Sequence, residues 1–214
     1  VSIEQSLVSV LEQLDSRYEV LLLDDGSSDN SVSIVEKLQK KYHNLRLLCL
    51  KRDRRRLLGE TRNLSIKEAR GDYVILHVDT DDVWEPYIDD FISVFHKIEQ
   101  CINKDFLLSG RQINVGRKEF LLSHGPYRNI YRGEDRDMWL RLASIDTWIE
   151  IQHIVFRERL KRSTKVKIYR LIKDTIHFMI SNMLQMDYPR KYLYTCLTSL
   201  FKKNQSDSSL ELVD

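Results

Sequence analysis

"YVILHVDTDDVWEP", residues 73–86, decides how this chain reads. Tyr73 to Val78 is an apolar run of strand length, and it opens at once onto Asp79, Asp81 and Asp82. A short run bounded in this way suits a buried strand. Carboxylates crowded at the mouth of such a strand repel one another where the dielectric is poor, and a divalent cation relieves the repulsion. Asp-x-Asp sets two hard oxygen donors near one point, which suits Mn2+ or Mg2+ kept partly hydrated and shared with phosphates. The plainer alternative is that Asp81 or Asp82 only caps the helix that follows.

Upstream, the same arrangement occurs a second time. Tyr18 to Leu23 reads as a buried strand that ends in Asp24-Asp25-Gly26-Ser27-Ser28-Asp29, a run of turn formers and helix caps. Helical spacing marks 4–14, with Ile3, Leu7, Val8, Leu11 and Leu14 on one side, and then 31–42 and 57–70, with Gly71 as a left-handed end cap. Leu45 to Leu50 is another strand. Strands that alternate with helices through short connections predict an α/β fold, a Rossmann-like and mostly parallel sheet flanked by helices. Ligands bind such sheets beyond the carboxyl ends of the strands, where both acidic clusters lie.

Downstream, Pro86 opens a helix to about Gln100. Residues 106–115 and 118–122 read as strands of a hairpin around Gly116. Gly133 precedes a helix with Glu134, Asp135 and Asp137 in its first turn, where the helix dipole favours acids. Residues 147–156 read as a strand, and helices are predicted from Lys165 to about Met186 and from Pro189 to about Lys203.

The chain has 214 residues, room for one domain and an appendage. With 42% hydrophobic and 31% charged residues it has enough apolar material for a core. No apolar run reaches membrane-span length, and the first residues read as an amphipathic helix rather than a signal peptide. Cys49, Cys101 and Cys196 are scattered, which points away from a disulfide framework or a zinc site and towards a reducing cytoplasm. The net charge of +2 hides an asymmetry: residues 157–203 hold twelve Lys and Arg against Glu158, Asp174 and Asp187. The expected organisation is a domain over 1–156, a basic helical appendage over 157–204 and a disordered tail over 205–214. The appendage is amphipathic. It would pack on the domain, form a homodimer seam, or lie as a peripheral contact on an anionic inner membrane face. No stacking motif points to nucleic acid.

Three stretches in order, "LLLDDGSSDNS" (21–31), "TRNLSIKEARGDYVILHVDTDD" (61–82) and "RGEDRDMWLRL" (132–142), resemble the family-2 glycosyltransferases with the GT-A fold. The resemblance covers about residues 4–156. It implies transfer of a sugar from a nucleotide-diphosphate donor, UDP- or GDP-linked, to a glycan, lipid-linked or small-molecule acceptor, with inversion and with Mn2+ or Mg2+ on the diphosphate. Carried over by position, Asp24 and Asp25 contact the nucleoside, and Arg62 lies near the base and diphosphate. Asp79 approaches the ribose or the metal, Asp81 is the chief metal ligand, and His153 is a late metal or phosphate ligand. Asp135, with Glu134 beside it, is the general base. Each has a plain counterpart: turn chemistry for Asp25, a surface arginine for Arg62, a helix start for the acids at 134–137, and a structural histidine at 153. Members usually begin with a strand of the type VSVVIPxYN, whereas VSIEQSL stands where the following helix would be. The QxxRW motif of processive synthases is missing, which points to a single transfer. The alternatives in other classes are a sugar-phosphate nucleotidyltransferase and a non-catalytic nucleotide-sugar-binding module.

Overall fold

The computed structural model describes residues 2–151 apart from Arg54, His77, Arg111, Gln112, Tyr131 and Arg132, together with the backbone of Arg157–Arg159 and with Ile172 and Ile176. Helix α1 (Ile3–Leu11) starts at Ser2, whose hydroxyl accepts the Gln5 N–H at 3.2 Å as an N-cap. Strand β1 (Val20–Asp24) passes through α2 (Ser31–Gln39) to β2 (Leu45–Cys49), which pairs with it in parallel, Val20 opposite Leu45 and Asp24 opposite Cys49. Helix α3 (Leu58–Glu68) leads to β3 (Tyr73–Leu76), and the short β4 (Asp82–Trp84) leads to α4 (Ile88–Cys101). After β5 (Leu107–Ser109), β6 (Asn114–Arg117) and α5 (Lys118–Ser123) comes α6 (Glu134–Ser144), then β7 (Trp148–Glu150) and β8 (Arg157–Arg159).

The architecture is α/β with a mixed sheet. Its four-stranded part has the order β3-β6-β5-β7; β6 runs antiparallel to β3 and β5, while β5 and β7 are parallel. β4 pairs antiparallel with β8, Asp82 opposite Arg159. Successive residues of a strand point to opposite faces, so Leu107 and Leu108 of β5 enter different cores. Leu108 joins Val10, Trp84, Ile88, Phe91 and Phe95 under α1 and α4. Leu107 joins Ile66, Leu76, Leu121, Met138 and Leu142 under α3, α5 and α6. Both leucines are fully buried, as expected for a strand covered on two faces. A third core, Leu7, Leu11, Val35, Leu38 and Leu45, fastens α1 and α2 to β2.

Several local expectations change. Gly71 is not a left-handed cap: α3 ends at Ala69 with φ −58° and ψ 142°, and only Gly26 and Gly133 among the described glycines have positive φ. Residues 118–122 form α5, not a strand. Phe120 and Leu121 are buried and Leu122 is 39% exposed; a run this short carries no period that separates helix from strand. β5 and β6 pair antiparallel, the Gly110 N–H donates to the Ile113 carbonyl at 2.8 Å, and Gly116 lies inside β6 rather than at the turn. The strand expected over 147–156 is observed at Trp148–Glu150, and 152–156 lie outside the described residues. The predicted helices over 165–186 and 189–203, and the tail, also fall outside them, apart from Ile172 and Ile176, both helical and exposed. No helix among the described residues is long and apolar enough to cross a membrane.

Glu19, just before β1, ties the sheet to α3. Its carboxylate accepts Arg46 Nε at 2.6 Å and the Arg70 N–H at 2.9 Å. Burial pushes this carboxyl up, but hydrogen bonds from Arg46 and Arg70 outweigh burial and hold it below its ordinary 4.5. A carboxyl depressed by folding stabilises the fold above its unfolded pKa, and that contribution is lost as pH falls through the folded value. Glu19→Gln is therefore expected to cost on the order of 1 kcal/mol at pH 7. Urea unfolding of both proteins should show the gap closing as pH drops below 4.5; a gap independent of pH would assign the loss to something other than the charge.

Candidate active site

At the end of β1 the two aspartates divide. The Asp24 carboxylate accepts the N–H groups of Gly26 at 3.1 Å and Ser27 at 3.2 Å, so it braces the turn. Gly26 has φ +79°, and a Cβ there would lie 2.6 Å from Arg52 Cβ, so this loop docks closely on the one after β2. Asp25 pairs with Arg56, whose Nη2 also donates to the Lys51 carbonyl at 3.1 Å. Asp24, Asp25, Ser27, Leu22, Leu47 and Thr80 line a cleft of about 190 Å³. Thr80 brings the second acidic loop to the first.

In that second loop one carboxylate oxygen from each of Asp79, Asp81 and Asp82 lies within 4.8 Å of the others. Asp81 is exposed, Asp79 half-buried and Asp82 buried. Asp82 starts a strand and α4 begins only at Ile88, so neither Asp81 nor Asp82 caps a helix. The donor set fits a hard divalent cation: three carboxylate oxygens from one short segment, with Asp81 exposed to solvent.

Arg62 of α3 joins this cluster to the third motif. Its Nη1 donates to Glu134 Oε1 at 2.7 Å, its Nη2 lies 4.0 Å from Asp79 Oδ1, and its guanidinium sits 5.4 Å from the Tyr127 ring centroid. The Tyr127 phenol is pushed well above its ordinary range, first by burial and further by the carboxylates of Asp135, Glu134 and Asp79, while Arg62 opposes them. Tyr127 thus feels acids from both motifs at once.

Helix α6 starts from Gly133 at φ 80°, and its first-turn acids take separate partners. Glu134 is buried against Arg62. Asp137 is buried between Arg141 Nε at 2.9 Å and Arg128 Nη1 at 3.5 Å. Asp135 is half-exposed and accepts only the neighbouring Arg136 N–H, at 2.8 Å, among the described residues.

The segment before α6 is fastened from two sides. Asn63 Nδ2 donates to the Tyr127 carbonyl at 2.7 Å, and the Tyr127 N–H returns to Asn63 Oδ1 at 2.8 Å. Arg141 donates to the carbonyls of His124 at 3.1 Å and Pro126 at 2.6 Å. A Cβ on Gly59 would lie 2.5 Å from the Arg128 carbonyl oxygen. The stretch "SHGPYRNIYRGED" (123–135) suggests a flexible acceptor loop by its glycine and proline, yet these bonds hold 124–128 in place.

Thr80 thus brings the second acidic loop to the cleft that holds Asp24 and Asp25, and Arg62 links Asp79 of that loop to Glu134, the neighbour of Asp135. His153 lies outside the described residues. Sequence reasoning placed Asp82 in the cluster but named only Asp79 and Asp81 of it as cation ligands, and it missed Arg56, Asn63 and Tyr127 altogether. Asn63 had a signal, since it follows Arg62 within the TRN triplet; Arg56 and Tyr127 had none that composition or period could supply.

The family model for Glycosyl transferase family 2 matches residues 1–178. The chain is 24% identical to the chondroitin synthase of Escherichia coli over 90% of its own length, but it spans only 32% of that protein. It is 23% identical to UDP-Glc:alpha-D-GlcNAc-diphosphoundecaprenol beta-1,3-glucosyltransferase WfaP, also of Escherichia coli, over 86% of this chain and 90% of that one. Among solved structures, the mannosyltransferase PcManGT of Pyrobaculum calidifontis, in complex with GDP-Man and Mn2+, superposes with a TM-score of 0.65 at 16% identity, covering 88% of this chain and 62% of that one. Glucosyl-3-phosphoglycerate synthase of Mycobacterium tuberculosis, with Mn2+ and UDP-glucose, gives 0.56 at 15% identity, over 82% and 73%. These likenesses show the fold.

Removing one partner of a buried ion pair leaves the other charge uncompensated. Arg62→Met should therefore lower unfolding stability by about 3 kcal/mol. The double variant Arg62→Met/Glu134→Gln should recover much of that, because no buried charge is stranded. Equal losses in the single and double variants, measured by urea unfolding at pH 7, would show that the pair is not coupled.

Proposed function

The chain belongs to glycosyl transferase family 2, and from that premise we propose that it moves a sugar, with inversion, from a nucleotide-diphosphate donor to a glycan or lipid-linked acceptor in a single transfer. The observation that carries this reading is Arg62, which spans from Asp79 in the cation cluster to Glu134 beside Asp135. Donor and base are thereby assigned to one hollow.

In this reading the nucleoside lies in the cleft at the ends of β1 and β2. Asp25 meets the base, and Asp24 holds the turn that supports it. Asp79, Asp81 and Asp82 hold Mn2+ or Mg2+. When bound, that cation supplies charge neutralisation for the departing diphosphate. Solved relatives titled with Mn2+ and with GDP-Man or UDP-Glc support both the cation and the donor class.

Asp135 is the base. An acid in the first turn of a helix is stabilised in its ionised form by the helix dipole, and Asp135 alone of the three there is not committed to an arginine. It takes the acceptor hydroxyl proton as that oxygen attacks the anomeric carbon, and the bond from that carbon to the diphosphate oxygen breaks on the opposite face. Geometry rather than nucleophile strength supplies much of such a step, because the acceptor is held in line. Glu134 acts through Arg62, whose position it fixes.

The relative WfaP, titled as acting on a diphosphoundecaprenol-linked sugar, matches nearly end to end. It supports a lipid-linked acceptor, and a peripheral place on the inner face of a membrane is the location that such an acceptor would ask of this chain. The catalytic unit is assigned to 1–156, and the basic segment beyond it to contact with that surface or with a second copy.

Asp81→Ala should abolish Mn2+-dependent donor binding, while Asp135→Asn should bind donor as the parent does and lose transfer by about 10²–10⁴-fold. Calorimetry with UDP- and GDP-sugars, followed by transfer assays with Mn2+, checks both. Unchanged donor affinity in Asp81→Ala would remove the cation role, and full transfer by Asp135→Asn would remove the base.

A further inference from the structure

The cation cluster depends on a loop and a three-residue strand, and among the described residues the side of that segment away from β8 is held by no other strand. It is held by a helix. Ser6, Ser9 and Gln13 recur at spacings of three and four and so share one face across α1 and the turn that follows it. The Ser6 hydroxyl donates to the Asp79 carbonyl at 3.4 Å. The Ser9 hydroxyl accepts the Trp84 N–H at 2.9 Å. Gln13 uses both ends of its amide: Nε2 donates to the Trp84 carbonyl at 3.3 Å, and Oε1 accepts the Ile88 N–H at 3.2 Å. The Trp84 indole N–H returns to the Asp79 carbonyl at 3.2 Å, which closes the segment on itself.

These bonds cross more than seventy residues of sequence. They bond to backbone groups of 79–88 beside the core of Val10, Trp84 and Ile88. Ser6 is itself 1% exposed. The three side chains therefore do for β4 what a neighbouring strand would do. They fix where the backbone of Asp79 stands relative to Trp84, two residues past Asp82. That interval contains all three carboxylates.

We propose that Ser9 and Gln13, with Ser6, are positioning residues for the cation cluster, so that divalent-cation affinity is set from α1 as well as by the carboxylates. The inference rests on the cation reading given under Proposed function, and it assigns no contact between α1 and the ion. Residues that support ligands without touching the metal commonly change affinity when replaced.

The test is Mn2+ binding to the full chain, followed by electron paramagnetic resonance of free Mn2+, with no substrate present. Ser9→Ala should weaken binding by about tenfold, and Ser9→Thr, which keeps the hydroxyl, should stay within about twofold of the parent. Gln13→Met, which keeps length and loses both bonds, should behave like Ser9→Ala and serves if that variant does not fold. In the metal-free chain, amide hydrogen exchange should quicken at 79–88 in both variants and stay unchanged in β5 and β6. Parent-like Mn2+ affinity in Ser9→Ala or Gln13→Met, with the parent itself binding, overturns the inference and leaves the cation reading standing. A parent chain that binds no Mn2+, with Asp81→Ala indistinguishable from it, overturns the cation reading and this inference together.

Discussion

Arg62 is the charge on which the arrangement turns. Asp79, Asp81 and Asp82 approach one another within 4.8 Å, and Glu134 is buried close by. Carboxylates this near repel, and burial sharpens the repulsion. Arg62 answers from a helix that belongs to neither acidic segment, lying between Asp79 and Glu134 over the Tyr127 ring. A guanidinium suits the place better than an ammonium, since it is planar, stays charged, forks towards two acids and stacks on an aromatic face. The helix, the loop and the start of α6 are thus referred to one fixed cation. A second cation, the divalent one, is needed only by the acids that Arg62 does not satisfy.

The first turn of α6 shows how the remaining acids are sorted. Three acids stand within four residues, all favoured by the helix dipole. Glu134 goes to Arg62, and Asp137 goes to Arg141 and Arg128. Two of those arginines also hold the segment before α6. Arg62 covers Tyr127, and Arg141 binds the carbonyls of His124 and Pro126. Asp135, half-exposed, is the one of the three with no arginine partner among the described residues. A cluster that reads as a run of acids in sequence is thus two acids committed to arginines and one that is not.

The main helices and the first three strands were legible because their signals are long and periodic. α1, α2, α3 and α4 follow spacings of three and four, and the apolar runs before Asp24 and Asp79 are strands. The region after α4 was harder. Phe120-Leu121-Leu122 is too short to show a period, and only the fold turns it into a helix against β6. The hairpin glycine was misplaced because Gly110 and Gly116 are both plausible turn residues, and packing of Leu107 and Leu121 around Gly116 puts that one in a strand. At the site, sequence named the carboxylates and Arg62, since charged residues at strand ends stand out. It did not find Arg56 or Tyr127. An arginine in a basic run and a tyrosine in a loop acquire meaning only through partners distant in sequence: Asp25, 31 positions from Arg56, and Arg62 beneath the phenol's neighbours.

The polar side of α1 carries the same lesson into energetics. Read alone, Ser6, Ser9 and Gln13 belong on a solvent face, opposite Leu7, Leu11 and Leu14. In the fold they face inward, because α1 lies between two layers. Its leucines at 7 and 11 pack on α2 and β2, while Val10 and Leu14 pack with α4. The polar residues are left over the side of the 79–88 segment that faces away from β8. Hydroxyls and a primary amide are well suited to that task, since each can both donate and accept. An apolar residue at Ser9 or Gln13 would fill the space and strand the N–H of Trp84 or Ile88, a penalty of about 1–3 kcal/mol for each buried group. Fold stability and the placement of Asp79 and Asp82 therefore draw on the same few hydrogen bonds. That coupling is why a helix remote from the chemistry belongs to its description.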